Sequence, residues 1–264
     1  MVYAKEENKK NVKISLKKVV LLLFLSIFVS VLIGFLITQF LIRPYLSKIS
    51  SSTKYSYSLK MPQLNYYLVK IGEYDNERDA AYNLNLLIMK GIYGESIKSN
   101  DKYILSVGYF IDKDEANNLS LKLNKSGIIS SVVINNGPIY EISYEENSKD
   151  DVKTALDNIN SFYNNLSHLS ELSYKIAFGI ASEKDIDETE LYFKKYSEVP
   201  YNIRSDNNLK KIVESTMAIN GHILNNFKDI KTSFELNDGN AYGLTQKLFI
   251  DSIMEYYSKM SSLK

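Results

Sequence analysis

The stretch Tyr67-Leu68-Val69-Lys70-Ile71-Gly72 returns 36 residues later as Tyr103-Ile104-Leu105-Ser106-Val107-Gly108. The correspondence continues downstream: Ala80 matches Ala116, Leu87 matches Leu123, and Gly91-Ile92 matches Gly127-Ile128. Each unit opens with the apolar alternation of a half-buried strand. A helical pattern follows, with N-caps predicted at Asp75 or Asn76 and at Asp112. Gly91 and Gly127 stand where a helix C-terminus favours a left-handed residue. Second strands are predicted over about 94–98 and 130–135, so the doubled unit reads β-α-β-β-α-β, a four-stranded antiparallel sheet with both helices on one face.

Around this domain the chain is organised in blocks. Residues 19–42 carry no charge over 24 positions, enough for a helix of about 36 Å against a hydrocarbon core of about 30 Å. The run is too long for a signal-peptide core, and the nearest small-residue stretch, Ser50 to Ser52, lies well past it, so an uncleaved single transmembrane helix is predicted. Six lysines precede it and four basic residues (Arg43, Lys48, Lys54, Lys60) follow it. That bias predicts a cytoplasmic tail over 1–18 and an extracytoplasmic bulk. Residues 43–64, with six serines and two prolines, read as a Ser-rich linker of at most about 70 Å.

After Gly137-Pro138 the period changes. Val152, Leu156, Ile159, Tyr163, Leu166 and Leu169 recur at helical steps, predicting a helix over 149–180. Further helices are predicted over 183–197, 207–234 and 241–260, an independent all-α bundle spanning 149–262. The overall fold class is therefore α+β: an N-terminal span, a ferredoxin- or RNP-like β-α-β-β-α-β domain over 65–138, and the C-terminal bundle.

Composition narrows the chemistry. Thirty-two basic and 31 acidic residues give a net charge of +1, without the cationic excess that a sequence-indifferent nucleic-acid binder needs. By simple alternation the aromatics Tyr103 and Tyr109 belong to the helix-covered side of the sheet, so RNA binding is not expected. The chain has no cysteine and two histidines, His168 and His222, which excludes a thiolate nucleophile and any Cys-based metal site. His168 with Glu171 finds no third ligand in the pattern, and Lys184 spoils a calcium loop within the acidic run 183–190. No catalytic residue, metal or cofactor is predicted.

The segments Tyr-Tyr-Leu-Val-Lys-Ile-Gly-Glu-Tyr (66–74) and Tyr-Ile-Leu-Ser-Val-Gly-Tyr-Phe (103–110), with Asp114-Glu115-Ala116, resemble the SPOR domain. The resemblance implies an extracytoplasmic module that binds septal peptidoglycan glycan strands stripped of stem peptides, in division, sporulation and wall remodelling. Tail, span and linker ahead of the domain are similar to the stage II sporulation type that aids septal wall thinning. Lys70 replaces the Gln common in the family's first strand, and Lys102 and Ser106 stand where an Arg or aromatic is often found.

Strand alternation sends Leu68, Lys70, Lys102, Ile104 and Ser106 to the sheet face away from the helices, and the last strand adds Ser131 and Val133. These seven are the predicted glycan-binding residues, the polar ones for sugar hydroxyls and the apolar ones for ring faces. The expected function is a membrane-anchored, non-enzymatic peptidoglycan-binding protein at septa. Its expected partners are glycan strands, the cytoplasmic membrane and wall-remodelling or division and sporulation proteins, not nucleic acid. The competing readings are a peptidoglycan-remodelling enzyme and a protein-interaction adaptor acting through the helical half.

Overall fold

The computed structural model describes residues 56–263 except 100, 146–147, 198–202 and 204–205. The predicted tail, the span 19–42 and the first part of the linker lie outside the described residues. Among the described residues no helix is long and apolar enough to cross a membrane.

The doubled unit folds as predicted. Strand β2 (Asn65–Tyr74), helix α1 (Glu77–Met89), β3 (Glu95–Ser99), β4 (Lys102–Phe110), α2 (Lys113–Lys125) and β5 (Ser131–Asn136) follow in order. The strands form an antiparallel sheet ordered β3-β4-β2-β5. The Asn76 side chain accepts from the Asp79 amide, and Asp112 accepts from those of Asp114 and Glu115, capping α1 and α2. Gly91 and Gly127 end the helices at φ of 72° and 80°, where a side chain would be strained. Val69, Leu105 and Val107 pack beneath α1 and α2 with Leu87, Ala116 and Leu119.

The linker is shorter than predicted. Its last residues form β1 (Ser56–Lys60), paired antiparallel with β6 (Glu141–Glu145) from the segment that follows Gly137-Pro138. The reason is an alternation hidden in a serine-rich stretch. Tyr57 and Leu59 pair with Tyr144 and Ile142, and the rings of Tyr57 and Tyr144 lie 5.8 Å apart. Met61 and Leu64 follow, both buried.

The C-terminal helices are α3 (Lys149–Ala177), α4 (Glu183–Ser197), α5 (Asn207–Leu236) and α6 (Ala241–Ser261). Their core includes Phe162 stacked on Tyr256 and Phe193 edge-on to Phe227, with centroids 5.0 Å and 5.2 Å apart. Buried Asn165 donates to Asn220 across α3 and α5 at 3.0 Å, a polar pair that fixes helix register.

The bundle is not independent. Residues 56–264 form one compact unit, and Tyr66, Leu68 and Tyr109 of the sheet share a continuous apolar core with Phe249, Ile250, Ile253 and Tyr256. The sheet is thus covered by α1 and α2 on one face and by the bundle over part of the other.

Candidate functional site

The register lays out the sheet face away from α1 and α2 in rows. Tyr66 pairs with Asn135, Leu68 with Tyr109 and Val133, Lys70 with Ser106 and Ser131, Glu73 with Ile104, and Ser106 and Ile104 with Glu95 and Ile97 of β3. Bundle side chains cover the rows from the Tyr66 end inward. Tyr66 meets Phe249 edge-on at 6.4 Å, and Leu68 is 3% exposed.

Two features bring the bundle onto this face. First, the register slips between Leu68 and Lys70, so that β4 spends one residue more than β2 around Val107-Gly108. This bulge reverses the alternation beyond it. Tyr109 therefore belongs to the bundle side, not to the helix-covered side that simple alternation assigned, and Phe110 takes its place. Glycine suits the bulge, because a Cβ at Gly108 would lie 2.8 Å from the Tyr242 hydroxyl and from Leu119.

Second, β4 runs past the end of β3, whose pairing stops at Ser106, and exposes backbone that a buried edge must satisfy. The bundle supplies the partners. Gln246 of α6 accepts from the Tyr109 amide at 2.6 Å and donates to the Tyr109 carbonyl at 3.3 Å, as a neighbouring strand would. Tyr242 donates to the Val107 carbonyl at 2.7 Å, and Ser170 of α3 accepts from the Ile111 amide at 3.0 Å.

The seven predicted glycan residues separate accordingly. Leu68 and Ser106 are buried beneath the bundle, a correction to the open face on which they were expected. Ser106 Oγ lies within hydrogen-bond distance of the Val69 and Gly108 carbonyls, at 3.2 and 3.0 Å, and so serves the bulge. Val133 and Ile104 are half-buried against the shared core. Lys70 is partly exposed, and Lys102 and Ser131 are exposed. What stays open is a strip at the far end of the sheet.

That strip is organised by a residue the sequence reading passed over. Glu73 accepts from Lys102 at Oε1 and from Lys70 at Oε2, both at 3.0 Å, with Asp75 3.8 Å from Lys102. The hydrogen bonds from Lys102 and then Lys70 hold the Glu73 carboxyl below its usual range, and Glu73 raises Lys102 in return. Beside this cluster lie Ile97 and Ile104, paired across β3 and β4. The strip thus offers ammonium donors, a carboxylate acceptor and a small apolar surface, the set that hydroxyl and amide groups on an apolar ring require. Simple alternation from Lys70 would send Glu73 to the helix-covered side; a bulge at Ile71 instead places it opposite Ile104.

Glu95 and Glu115 were also missed, and both lie where the bundle meets the sheet domain. Glu95 accepts from the Tyr93 hydroxyl at 3.1 Å, and burial raises its carboxyl, with Asp251 of α6 adding to the rise. Glu115 of α2 accepts from Ser170 at 2.7 Å, and burial pushes it up to about 7.

The bundle's own candidates are structural. His168 stacks on Tyr192 with centroids 3.8 Å apart, and burial lowers its pKa. In the acidic run, Asp185 pairs with Lys175 while Asp187 and Glu190 pair with Lys231 of α5. The run tethers α4 to its neighbours rather than standing free in solvent. Among the described residues no group of three or more His, Asp or Glu is placed to hold a metal ion.

Comparison with known proteins agrees with the doubled unit. The family model of the SPOR domain matches residues 64–135. No curated protein matches the chain. A similar solved structure is the solution structure of the peptidoglycan binding domain of B. subtilis cell wall lytic enzyme CwlC, at 22% identity over 27% of this chain and 90% of that one, with a TM-score of 0.24. Strand β2 through β5, with the two capped helices between them, is the part of the chain that resembles a SPOR domain.

Proposed function

We propose that the chain is a membrane-anchored, non-enzymatic protein that holds peptidoglycan glycan strands at division or sporulation septa and supports wall remodelling there. The SPOR match over 64–135 carries this reading, because SPOR domains are binding modules for glycan stripped of stem peptides. The sequence pattern of tail, span and linker supports the anchored, extracytoplasmic placement. Wall-remodelling and division or sporulation proteins are its proposed neighbours.

Binding takes place on the uncovered strip. Lys70, Lys102 and Ser131 meet sugar hydroxyl and acyl groups, Ile104 lies under a ring, and Val133 supports the strip from its half-buried position. Leu68 and Ser106 hold the sheet's shape and touch no sugar. Glu73 keeps the two ammonium groups oriented before the ligand arrives, which lowers the ordering cost of binding.

Sedimentation of the purified full chain, in mild detergent, with amidase-treated and untreated wall sacculi is the test. Amidase-treated sacculi should carry down more protein. Lys70→Ala with Lys102→Ala should weaken binding about tenfold or more, since hydrogen bonds to charged groups contribute about 1.5–3 kcal/mol each. Sedimentation with neither preparation, or equally with both, would overturn the reading.

A further inference from the structure

Helix α6 crosses the sheet in strand order. Gly243, in its first turn, packs so closely on Tyr93, just ahead of β3, that a Cβ there would lie 2.9 Å from the ring. Gln246 then reaches Tyr109 of β4, and Phe249 meets Tyr66 of β2. The Tyr257 hydroxyl donates to the Leu64 carbonyl at 3.1 Å and lies against Gly137, just past β5. The helix therefore runs over β3, β4, β2 and β5 in turn, and one of its flanks borders the rows left open. Lys247, Asp251 and Met254 recur at steps of four and three, so they share a flank. The opposite side is taken up by the bundle, where Thr245, Phe249, Ser252 and Tyr256 are buried. Lys247 and Asp251 pair at 3.0 Å with side chains 63% and 46% exposed, and Met254 is 40% exposed.

That flank adjoins the glycan strip. Glu95 of β3 stands in the row of Ser106, Lys70 and Ser131. Burial raises its carboxyl, Asp251 adds to the rise and Lys247 opposes it, so both α6 groups border this row. Ile97 and Ile104 of the next row pack against the core to which α6 contributes Ile250 and Ile253. Floor and wall are continuous. Four strands about 4.8 Å apart give the groove a length of about 14 Å, room for a run of sugars rather than one. The chemistry carries on up the wall. Lys247 keeps two N–H donors beyond its bond to Asp251, and the soft, adaptable Met254 side chain suits an apolar ring face or an acetyl group. The geometry points to α6 as the second wall of the glycan groove, with Lys247 and Asp251 hydrogen-bonding one sugar, Met254 covering another, and the strand lying along the helix. This rests on the glycan-binding reading above and adds to it ligand contacts from outside the doubled unit.

The scarcity of methionine, six in the chain, makes contact directly observable. The full chain, labelled at its methionine methyl groups and held in mild detergent, is titrated with peptide-free glycan strands prepared by amidase digestion of sacculi. The Met254 methyl signal, assigned with Met254→Leu, should shift. That of Met89, 83% exposed on α1, should not. Sedimentation with amidase-treated sacculi then gives the size of the contribution. Lys247→Ala should weaken binding about fivefold, the loss of one net hydrogen bond. Lys259→Ala, on a different flank of the same helix and paired with Glu255 at 3.3 Å, should leave binding unchanged. Helical circular dichroism unchanged in both variants assigns the loss to binding rather than unfolding. Suppose Lys70→Ala with Lys102→Ala weakens binding while the Met254 signal stays in place, or while Lys247→Ala and Lys259→Ala bind alike. Either result would overturn the wall and leave the strip standing. Wild type that sediments with neither treated nor untreated sacculi would overturn both readings.

Discussion

The two β-α-β halves of the doubled unit share their capping, their glycine stops and their apolar alternation, yet they end in different surroundings. In the second half, α2 and the overhanging end of β4 are taken up by the C-terminal helices, with Gln246 acting as a missing strand for Tyr109. In the first half, α1 carries Met89 and Tyr82 outward among the described residues. The repeated pattern determines what each half folds into. Neighbours outside the repeat determine which of its surfaces become core.

The largest effect should come from Phe249, which is fully buried against Tyr66. Phe249→Ala leaves a cavity between bundle and sheet and should cost about 3–5 kcal/mol. Because the core is continuous, urea unfolding of wild type and variant should show one transition, coincident by tyrosine fluorescence and far-ultraviolet circular dichroism. Two separated transitions would mean that the sheet domain survives without its bundle.

Next in size is Gln246→Leu. It keeps the volume but leaves the Tyr109 amide and carbonyl without the partners that close the β4 edge. An unsatisfied buried group costs about 1–3 kcal/mol. The same change at Gln63, whose side chain donates to the Gly137 carbonyl at 2.6 Å in a half-buried site, should cost less, since water can replace that bond. Chemical denaturation of both variants separates the two cases.

Much of this was legible in the chain itself. The four C-terminal helices begin where the apolar period places them, with acidic first turns in α3 and α4, and Asn76, Asp112, Gly91 and Gly127 mark the two helices of the doubled unit because caps act through local backbone geometry. What the pattern did not disclose is the covering of the sheet. Gln246 meets Tyr109 across 137 residues, and no local period encodes such a contact. One local sign existed: Tyr66-Tyr67-Leu68-Val69 is a continuous apolar run rather than an alternation, as in strands buried on both faces. Leu68 and Ser106, expected on the open face, are buried for the same reason. The bulge at Val107-Gly108 compounded this by turning Tyr109 over.

A smaller effect distinguishes the bundle-bound half by pH. Burial beside Ser170 raises Glu115 from the ordinary 4.5 to about 7, so the folded protein binds its proton more tightly than the unfolded chain does. The stability this confers is fully present below about pH 4.5 and is lost as pH rises through about 7. Partial solvent exposure limits it to about 1 kcal/mol. Glu95, also raised by burial, tilts stability in the same direction, so the informative quantity is the difference between wild type and Glu115→Gln. Urea midpoints from pH 5 to 8 should fall more steeply for wild type. Parallel curves would show that Glu115 is solvated and that α2 is less firmly held by α3 than the geometry indicates.

The smallest effect belongs to the first half and is the sharpest check on the contrast. Met89→Lys gives α1 the residue that its repeat equivalent, Lys125, already has. At 83% exposure Met89 has little packing to lose, and Lys is as good a helix former as Met. A lysine in the last turn also favours the negative end of the helix dipole. The change in folding free energy should therefore stay within about 0.5 kcal/mol, measured at a protein concentration low enough to keep chains apart. A loss of several kcal/mol at low concentration would mean that Met89 is packed within a single chain, and that the two halves differ less than their surfaces suggest.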